Sequence, residues 1–568
     1  MQVQPSSFTA PKTAWAVLAW DVAAATLVLL LPMLVFLRHN DYPLLRPETL
    51  STLLLVALAG LFWGLLMWFG RRSGRIVVTT FLLVLVVDVQ TKWITTAGLR
   101  LLLTVLAMGA LAWLIRRYSS QILVVLFGAM VLGTLFQPAD RMVRHRGEFP
   151  GPGTGNLPFV LHLILDEYAA PEALDHRYDP NGATAAEAQA FFVDWGFTLF
   201  SRAYSRYYDT NESIPNTLNR GLREEPEGYW PDGFHEGGVL TQNDWFTRLD
   251  SLGYDLHTVQ TDFIDYAAPE LGIRSSSSYD LETVHSVASA DLRLGEKLAF
   301  ILGTYSRLSW FLGMFRQGYD DLSTGSFGRV LHLPESGFAE NRFSSLTAMG
   351  ALGDLALKLK RARPGQALIA HLMFPHYPYA YRADCSLKPR SRMWLNGSDR
   401  RLEPARNDSI SRAKRYPMYL EQIQCTNRQL DDLFSALVQA GVWDDAIVVL
   451  HGDHGSRLNM AQPMPSSADQ MVASDYMDAF GTLLAVKLPG VESCLNRRQV
   501  PLQDVFEGVF LDAQAVWPPV AYKPDLQSSS EPWVLLNDRE SFMERRTLPP
   551  FASGVPDSML VTTDAEGS

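Results

Sequence analysis

The first 137 residues are almost unbroken apolar sequence, and this limits the possible folds more than any other feature. Five segments, Trp15–Leu37, Leu50–Phe69, Ile76–Ile94, Leu99–Ile115 and Gln121–Phe136, are separated by thin charged joints. Each is near or within the ~17–25 apolar residues a helix needs to cross a bilayer. In lipid the backbone must satisfy its own hydrogen bonds, which favours helices. A buried helix of a soluble protein rarely repeats such apolarity five times in succession. A cleavable signal peptide is a single short apolar region with a small-residue cleavage site, and the pattern does not fit one. The expectation is a five-helix transmembrane bundle over residues 1–137.

The joints set an orientation. Arg71, Arg72 and Arg75 lie between the second and third segments, and Arg116 and Arg117 between the fourth and fifth. The other two joints carry less basic charge, Arg38 and Arg46 in one and Lys92 and Arg100 in the other. Positive charge favours the cytoplasmic side. The N-terminus is then inside, and everything after Gln137 is outside. Asp21 and Asp88 fall within segments, where acids either serve function or face the interface.

Residues 138–156 are rich in Pro and Gly and contain Arg141, Arg144 and Arg146, which reads as a linker, solvated or touching anionic headgroups. Beyond it the composition is mixed. Short apolar runs, Val160–Leu165, Ala367–Leu372 and Ala446–Leu450, alternate with helical patterns such as Ala183–Asp194 and Tyr416–Ala440. This alternation predicts an α/β domain with a central, mostly parallel sheet covered on both faces. Its expected bounds are 157–525, with 526–568 as a C-terminal tail. Within it, Lys297–Phe315 reads as an amphipathic helix packed on the membrane part or lying at the interface. The net charge of −11 argues against a nucleic-acid partner. Three cysteines are too few for a disulfide scaffold or a cysteine-built zinc site.

Two of the strands end in metal-ligand residues, Val160–Leu165 in Asp166-Glu167 and Ala446–Leu450 in His451-Gly452-Asp453-His454-Gly455. In open α/β sheets ligands bind at the carboxyl ends of strands. The third strand runs into Phe374-Pro375-His376-Tyr377-Pro378-Tyr379 and aims His376 at the same edge. Carboxylates with imidazole suit zinc or manganese better than calcium. The segment Thr210-Asn211-Glu212-Ser213-Ile214-Pro215 offers a nucleophile. Pro215 suits a first helical turn and Ser213 a cap, which puts Thr210 just ahead of a helix N-terminus that favours phosphate. Ser213 is the rival nucleophile. His162 and His371, inside apolar strands, read as satisfied core histidines.

The order LILDE, T-x-x-S-x-P, FPHYPY and HGDHG resembles the alkaline phosphatase superfamily. More narrowly, it is similar to the sulfatase-like membrane transferases that move phosphoethanolamine or phosphoglycerol. The resemblance covers about residues 157–489 and the count of five spans. It implies a sulfatase-like extracytoplasmic domain on an inner-membrane, multi-pass anchor, facing the periplasm. It implies a divalent metal, zinc or manganese, held by Asp166, Glu167, Thr210, Asp453 and His454. Thr210 would be the catalytic nucleophile and His376 would contact the transferred phosphoryl group. The implied donor is a membrane phospholipid, and the implied acceptor an envelope glycan or lipid. Sulfatases proper carry C-x-P-S-R at the nucleophile; Thr210 stands there instead and no Arg follows, which argues against sulfate ester cleavage. A membrane-anchored phosphatase, phosphodiesterase or other sulfatase-like hydrolase is the alternative, and a non-catalytic scaffold a further one. An extracytoplasmic location permits, without requiring, a Cys385–Cys425 disulfide that leaves Cys494 unpaired.

Overall fold

The computed structural model describes residues 11–91, 98–137, 143–149, 157–219, 234–235, 238–266, 268, 271–281, 285–331, 333, 344–389, 408–505, 531–538 and 543–551. Helices α1 (Pro11–His39), α2 (Pro47–Phe69), α3 (Arg71–Thr91), α4 (Leu99–Ile115) and α5 (Ser119–Phe136) come first. Strands β1 (Val143–Arg146) and β2 (Val160–Leu165), helix α6 (Ala183–Asp194), strand β3 (Thr198–Tyr204) and helix α7 (Thr210–Leu218) follow. Next are β4 (Asp255–Thr261), β5 (Ser275–Tyr279), α8 (Leu294–Ser306), α9 (Trp310–Thr324) and α10 (Ser344–Leu359). The chain continues through β6 (Gln366–Leu372), α11 (Ser409–Ala440), β7 (Ile447–His451), β8 (Leu484–Lys487) and β9 (Cys494–Pro501). A hairpin of β10 (Trp533–Asn537) and β11 (Met543–Thr547) comes last.

The chain divides into two compact units. One holds Met1–Met142, Thr283–Glu340 and Pro389–Arg392; the other holds Val143–Glu282, Asn341–Lys388 and Met393–Ser568.

Among the described residues of the helical unit, four helices are long and apolar enough to cross a membrane: Ala14–His39, Pro47–Phe69, Arg72–Thr91 and Ser119–Phe136. The fifth apolar helix, Leu99–Ile115, has 17 residues, one short of the length of the others' minimum. α1 packs on α2 and α5. Ala24, Ala25, Val28, Met67, Leu82 and Phe127 form part of the shared core. Gly60 and Gly64 explain how closely α1 and α2 approach. A Cβ on Gly60 would lie 2.5 Å from Thr26 Cα, and one on Gly64 2.5 Å from Val22 Cα. Small residues four apart let helix backbones touch where apolar burial gives no drive toward association. The Lys297–Phe315 region expected as one amphipathic helix is two, α8 and α9, broken between them at Arg307–Ser309. α8 packs on α2 and α9 on α3, so the segment does pack on the bundle.

The sheet unit is built on nine strands in the order β1-β5-β4-β6-β2-β7-β8-β3-β9. All neighbours are parallel except β1 on β5 and both pairings of β8. The middle strands β2, β6 and β7 are buried along their whole length, as continuous apolar runs require. Three boundaries differ from the sequence reading. Residues 143–146 of the expected linker form an edge strand. The span 157–525 is interrupted, because Thr283–Glu340 carries the two helices that belong with the bundle. The expected tail includes the β10–β11 hairpin, whose Trp533 and Leu535 bury against Tyr207. Most of the rest of 526–568, and most of 138–156, lies outside the described residues.

Candidate metal centre

Register puts the acidic residues side by side. Ile164 of β2 pairs with His371 of β6 on one side and His451 of β7 on the other. The residues just past these strand ends therefore emerge together. Asp166, Glu167, Asp453 and His454 are all fully buried. Glu167 has φ +64°, the left-handed region that non-glycine residues seldom occupy and that concentrates at functional sites. Gly452 allows the return of the chain: a Cβ there would sit 2.5 Å from the Tyr168 carbonyl oxygen.

Two ligand groups share Asp166. Donor atoms of Asp166, Asp453 and His454 lie within 4.8 Å of one another, and so do those of Asp166, Glu167 and His376. His454 Nε2 is 3.0 Å from Asp453 Oδ2 and 4.0 Å from Asp166 Oδ1. His376 Nε2 is 3.6 Å from Glu167 Oε1. Thr210 Oγ1 is 3.1 Å from His454 Nε2. Thus all six residues singled out from the sequence meet at one edge of the sheet.

The imidazoles are oriented from behind. Nδ1 of His454 is 2.9 Å from the Gly455 carbonyl oxygen and Nδ1 of His376 is 2.5 Å from that of Tyr377. If each Nδ1–H donates to its carbonyl, each Nε2 lone pair faces the cluster, the arrangement usual for metal-bound histidine. Glu167 is fixed through its Oε2, which accepts from the Tyr377 amide at 3.2 Å and the Tyr379 hydroxyl at 3.4 Å. The Tyr419 hydroxyl donates to its carbonyl at 2.7 Å.

The cluster fits a cation. Both carboxylate oxygens of Asp166 are buried and accept no hydrogen bond among the described residues. A buried carboxylate without donors is costly unless a positive partner compensates it. The ionised form of Asp453 is favoured. Burial opposes the charge on Asp453, but His454, Arg457 and the Thr210 hydroxyl outweigh it and hold this carboxyl far below the usual range. Burial and Arg457 oppose a proton on His454, Asp453 and Asp166 favour it, and the net direction is upward. Two carboxylates, an imidazole and a hydroxyl form an oxygen-nitrogen donor set suited to a divalent transition metal.

Thr210 is the first residue of α7, and Asp209 holds the N-cap position. The helix thus begins a turn earlier than Pro215 suggests. Pro215 is its sixth residue and forfeits only one bond, to the Asn211 carbonyl. Ser213 is not the cap. It lies inside the helix, and its hydroxyl donates to the Asp453 carbonyl at 2.5 Å, bracing the ligand loop.

Sequence reading missed two residues here. Arg457, mostly buried, reaches Asp209 Oδ1 at 3.3 Å and stacks 5.1 Å from the Tyr208 ring. Its signal was a guanidinium three residues past His454, in a loop otherwise devoted to ligands. His371 was expected to be a satisfied core histidine. Instead its Nε2 lies 3.6 Å from Asp166 Oδ2, and neither ring nitrogen hydrogen-bonds among the described residues. His162 does fit that expectation. It meets His451 Nε2 at 2.8 Å, and burial drives the pKa of both down, that of His451 to about 4. Cys385 and Cys425 form a disulfide with Cα atoms 4.9 Å apart, and Cys494 is a free thiol.

Residues 318–477 match the sulfatase family model. The matched stretch includes His376, Asp453 and His454. No curated protein matches the chain. Among solved structures, the C-terminal periplasmic domain of EcEptC from Escherichia coli in complex with Zn is similar at 12% identity and TM-score 0.34, over 64% of this chain and 83% of that one. The lipoteichoic acid synthase LtaP from Listeria monocytogenes is similar at 12% identity and TM-score 0.33, over 61% and 68%. The phosphonate monoester hydrolase of Agrobacterium radiobacter is similar at 14% identity and TM-score 0.33, over 61% and 72%.

Proposed function

We propose that this chain transfers a phosphoethanolamine or phosphoglycerol group from a membrane phospholipid to an envelope glycan or lipid, through a phospho-threonine intermediate. The observation that carries the reading is the Thr210 hydroxyl. It stands at a helix start, 3.1 Å from His454 Nε2, beside buried carboxylates of which Asp166 accepts no hydrogen bond among the described residues. Asp166, Glu167, Thr210, Asp453 and His454 would hold zinc or manganese. Such an ion lowers the pKa of a bound hydroxyl and offsets charge on phosphoryl oxygens.

In the first step Thr210 Oγ bonds to the donor phosphorus, the bond from phosphorus to the diacylglycerol oxygen breaks, and that oxygen takes up the proton Thr210 loses. In the second step the acceptor hydroxyl oxygen displaces Thr210 Oγ, which regains a proton. His376 binds the phosphoryl group from the Glu167 side, and the first amides of α7 favour its negative charge.

The same proposal makes all five N-terminal helices spans, with Leu99–Ile115 at the short end of the workable range. It places the sheet unit in the periplasm of an inner-membrane protein. The arginine-rich joints support this orientation, as does the Cys385–Cys425 disulfide, which suits an oxidising compartment.

Intact-mass measurement after incubation with headgroup-labelled phospholipid tests the chemistry. Wild type should gain the mass of the headgroup phosphate. Thr210→Ala should gain nothing and lose at least about a thousandfold in turnover. Label released into water as fast without acceptor as with it would assign the site to a phosphodiesterase instead. An adduct surviving in Thr210→Ala would move the nucleophile to another residue.

A further inference from the structure

The helical unit contains a cavity of about 530 Å³ that takes no part in the chemistry above. This lies within the roughly 300–1,000 Å³ usual for ligand sites. Leu29 and Met33 of α1, Leu55 of α2, Leu85 of α3, and Ala299 and Leu302 of α8 line it, so its walls are almost wholly hydrocarbon. One lining residue differs in kind. Arg316 of α9 brings a guanidinium to this mostly apolar wall. Its Nε is buried and makes no hydrogen bond among the described residues. An apolar chamber with a cation on its wall suits an amphiphile with a long hydrocarbon part and an anionic head.

We infer that this cavity binds one glycerophospholipid, with an acyl chain inside and its phosphate on Arg316. Charge complementarity selects the head: guanidinium is the side chain best shaped for phosphate oxygens. The setting selects the tail, because bilayer-length helices α1, α2 and α3 supply three of the walls. α8 and α9 supply the remaining walls. A neutral amphiphile would use the chamber without a phosphate, and diacylglycerol stands for it in the test. The inference does not depend on the phosphotransfer reading, because Thr210 and the carboxylate cluster play no part in it.

The experiment uses the full chain in detergent, given phosphatidylglycerol or, separately, diacylglycerol with the same acyl chains. Lipid retained per protein is read by native mass spectrometry across a concentration series. Wild type should retain about one phosphatidylglycerol and hold diacylglycerol at least about tenfold more weakly, the scale of one charge-assisted hydrogen bond. Arg316→Gln should weaken phosphatidylglycerol by about tenfold and leave diacylglycerol unchanged. Ala299→Phe, which fills the chamber, should weaken both. Thr210→Ala should retain lipid as wild type does, even where it abolishes the covalent adduct. Equal retention of phosphatidylglycerol by wild type and Arg316→Gln would overturn the headgroup assignment, and full retention by a folded Ala299→Phe would overturn the cavity as the site.

Discussion

Both units bury carboxylates, but they surround them differently. In the helical unit Asp21 accepts from Arg75 Nη2 at 2.8 Å on one oxygen and from the Ser120 hydroxyl on the other. Asp88 accepts from the Ser309 hydroxyl at 2.6 Å, with the Phe311 amide at 3.5 Å on the same oxygen. In the sheet unit Asp166 accepts nothing on either oxygen among the described residues, and Asp453 is satisfied on Oδ1. Burial of an acid is therefore not the mark of a site. Asp21 and Asp88 accept hydrogen bonds from other helices or their caps, whereas Asp166 accepts none among the described residues. A buried acid with donors is part of the structure, and one without them is waiting for a ligand.

The largest effect should come from Asp166→Asn. The amide keeps the shape but removes the charge that the fold leaves uncompensated. Turnover should fall at least about a thousandfold, the scale expected when a metal-assisted site loses a principal ligand. Bound metal, read by elemental analysis of the purified protein, should drop with it. Metal-free protein should melt no lower than wild type, because the substitution relieves crowding among Asp166, Glu167 and Asp453. A wild type that gains no thermal stability from added zinc or manganese would break the comparison.

Next is Arg75→Gln, which leaves Asp21 with the Ser120 hydroxyl alone. Asp21 is 1% exposed and Arg75 25%, so the pair is poorly screened. Breaking such a pair from one side costs about 3 kcal/mol, because a buried charge loses its counter-charge. The melting temperature should fall while metal content stays at the wild-type value. Adding Asp21→Asn should restore most of the loss, and this double-variant cycle isolates the pair. If Arg75→Gln changed neither stability nor metal content, Asp21 would need another role.

These contrasts also show what the sequence could reveal. β2, β6 and β7 were legible because strands buried on both faces must be continuously apolar, and the acids and histidines at their ends were legible by position. β5 was not, because Ser275-Ser276-Ser277-Ser278 carries no apolar signal. Its pairing with β4 is sustained by side-chain bonds, His257 Nδ1 to Ser275 Oγ at 2.7 Å and Thr258 Oγ1 to Ser276 Oγ at 2.9 Å. α8 and α9 were legible as apolar helix but not as members of the bundle, since that depends on partners more than 200 residues away in α2 and α3. The six clustered residues could be picked out because each sits at a strand end or helix start. His371 was not, because a ring inside an apolar strand looks the same whether its nitrogens are satisfied or face an acid.

The smallest predicted effect sharpens the comparison at its most ambiguous member. Asp88 has one oxygen satisfied and one without a donor among the described residues, intermediate between Asp21 and Asp166. If Asp88 is structural, its work is done through Ser309. That residue is the N-cap of α9, accepting from the Leu312 amide at 3.3 Å while donating to Asp88. Carboxylate and serine then serve the first turn of α9 together, and the negative charge complements the helix dipole. Ser309→Ala should cost about 1 kcal/mol, as loss of a serine cap does. Amide exchange should speed up in the first turn of α9, with turnover and bound metal unchanged. A fall in turnover with no change in exchange would instead group Asp88 with Asp166, as an acid retained for chemistry.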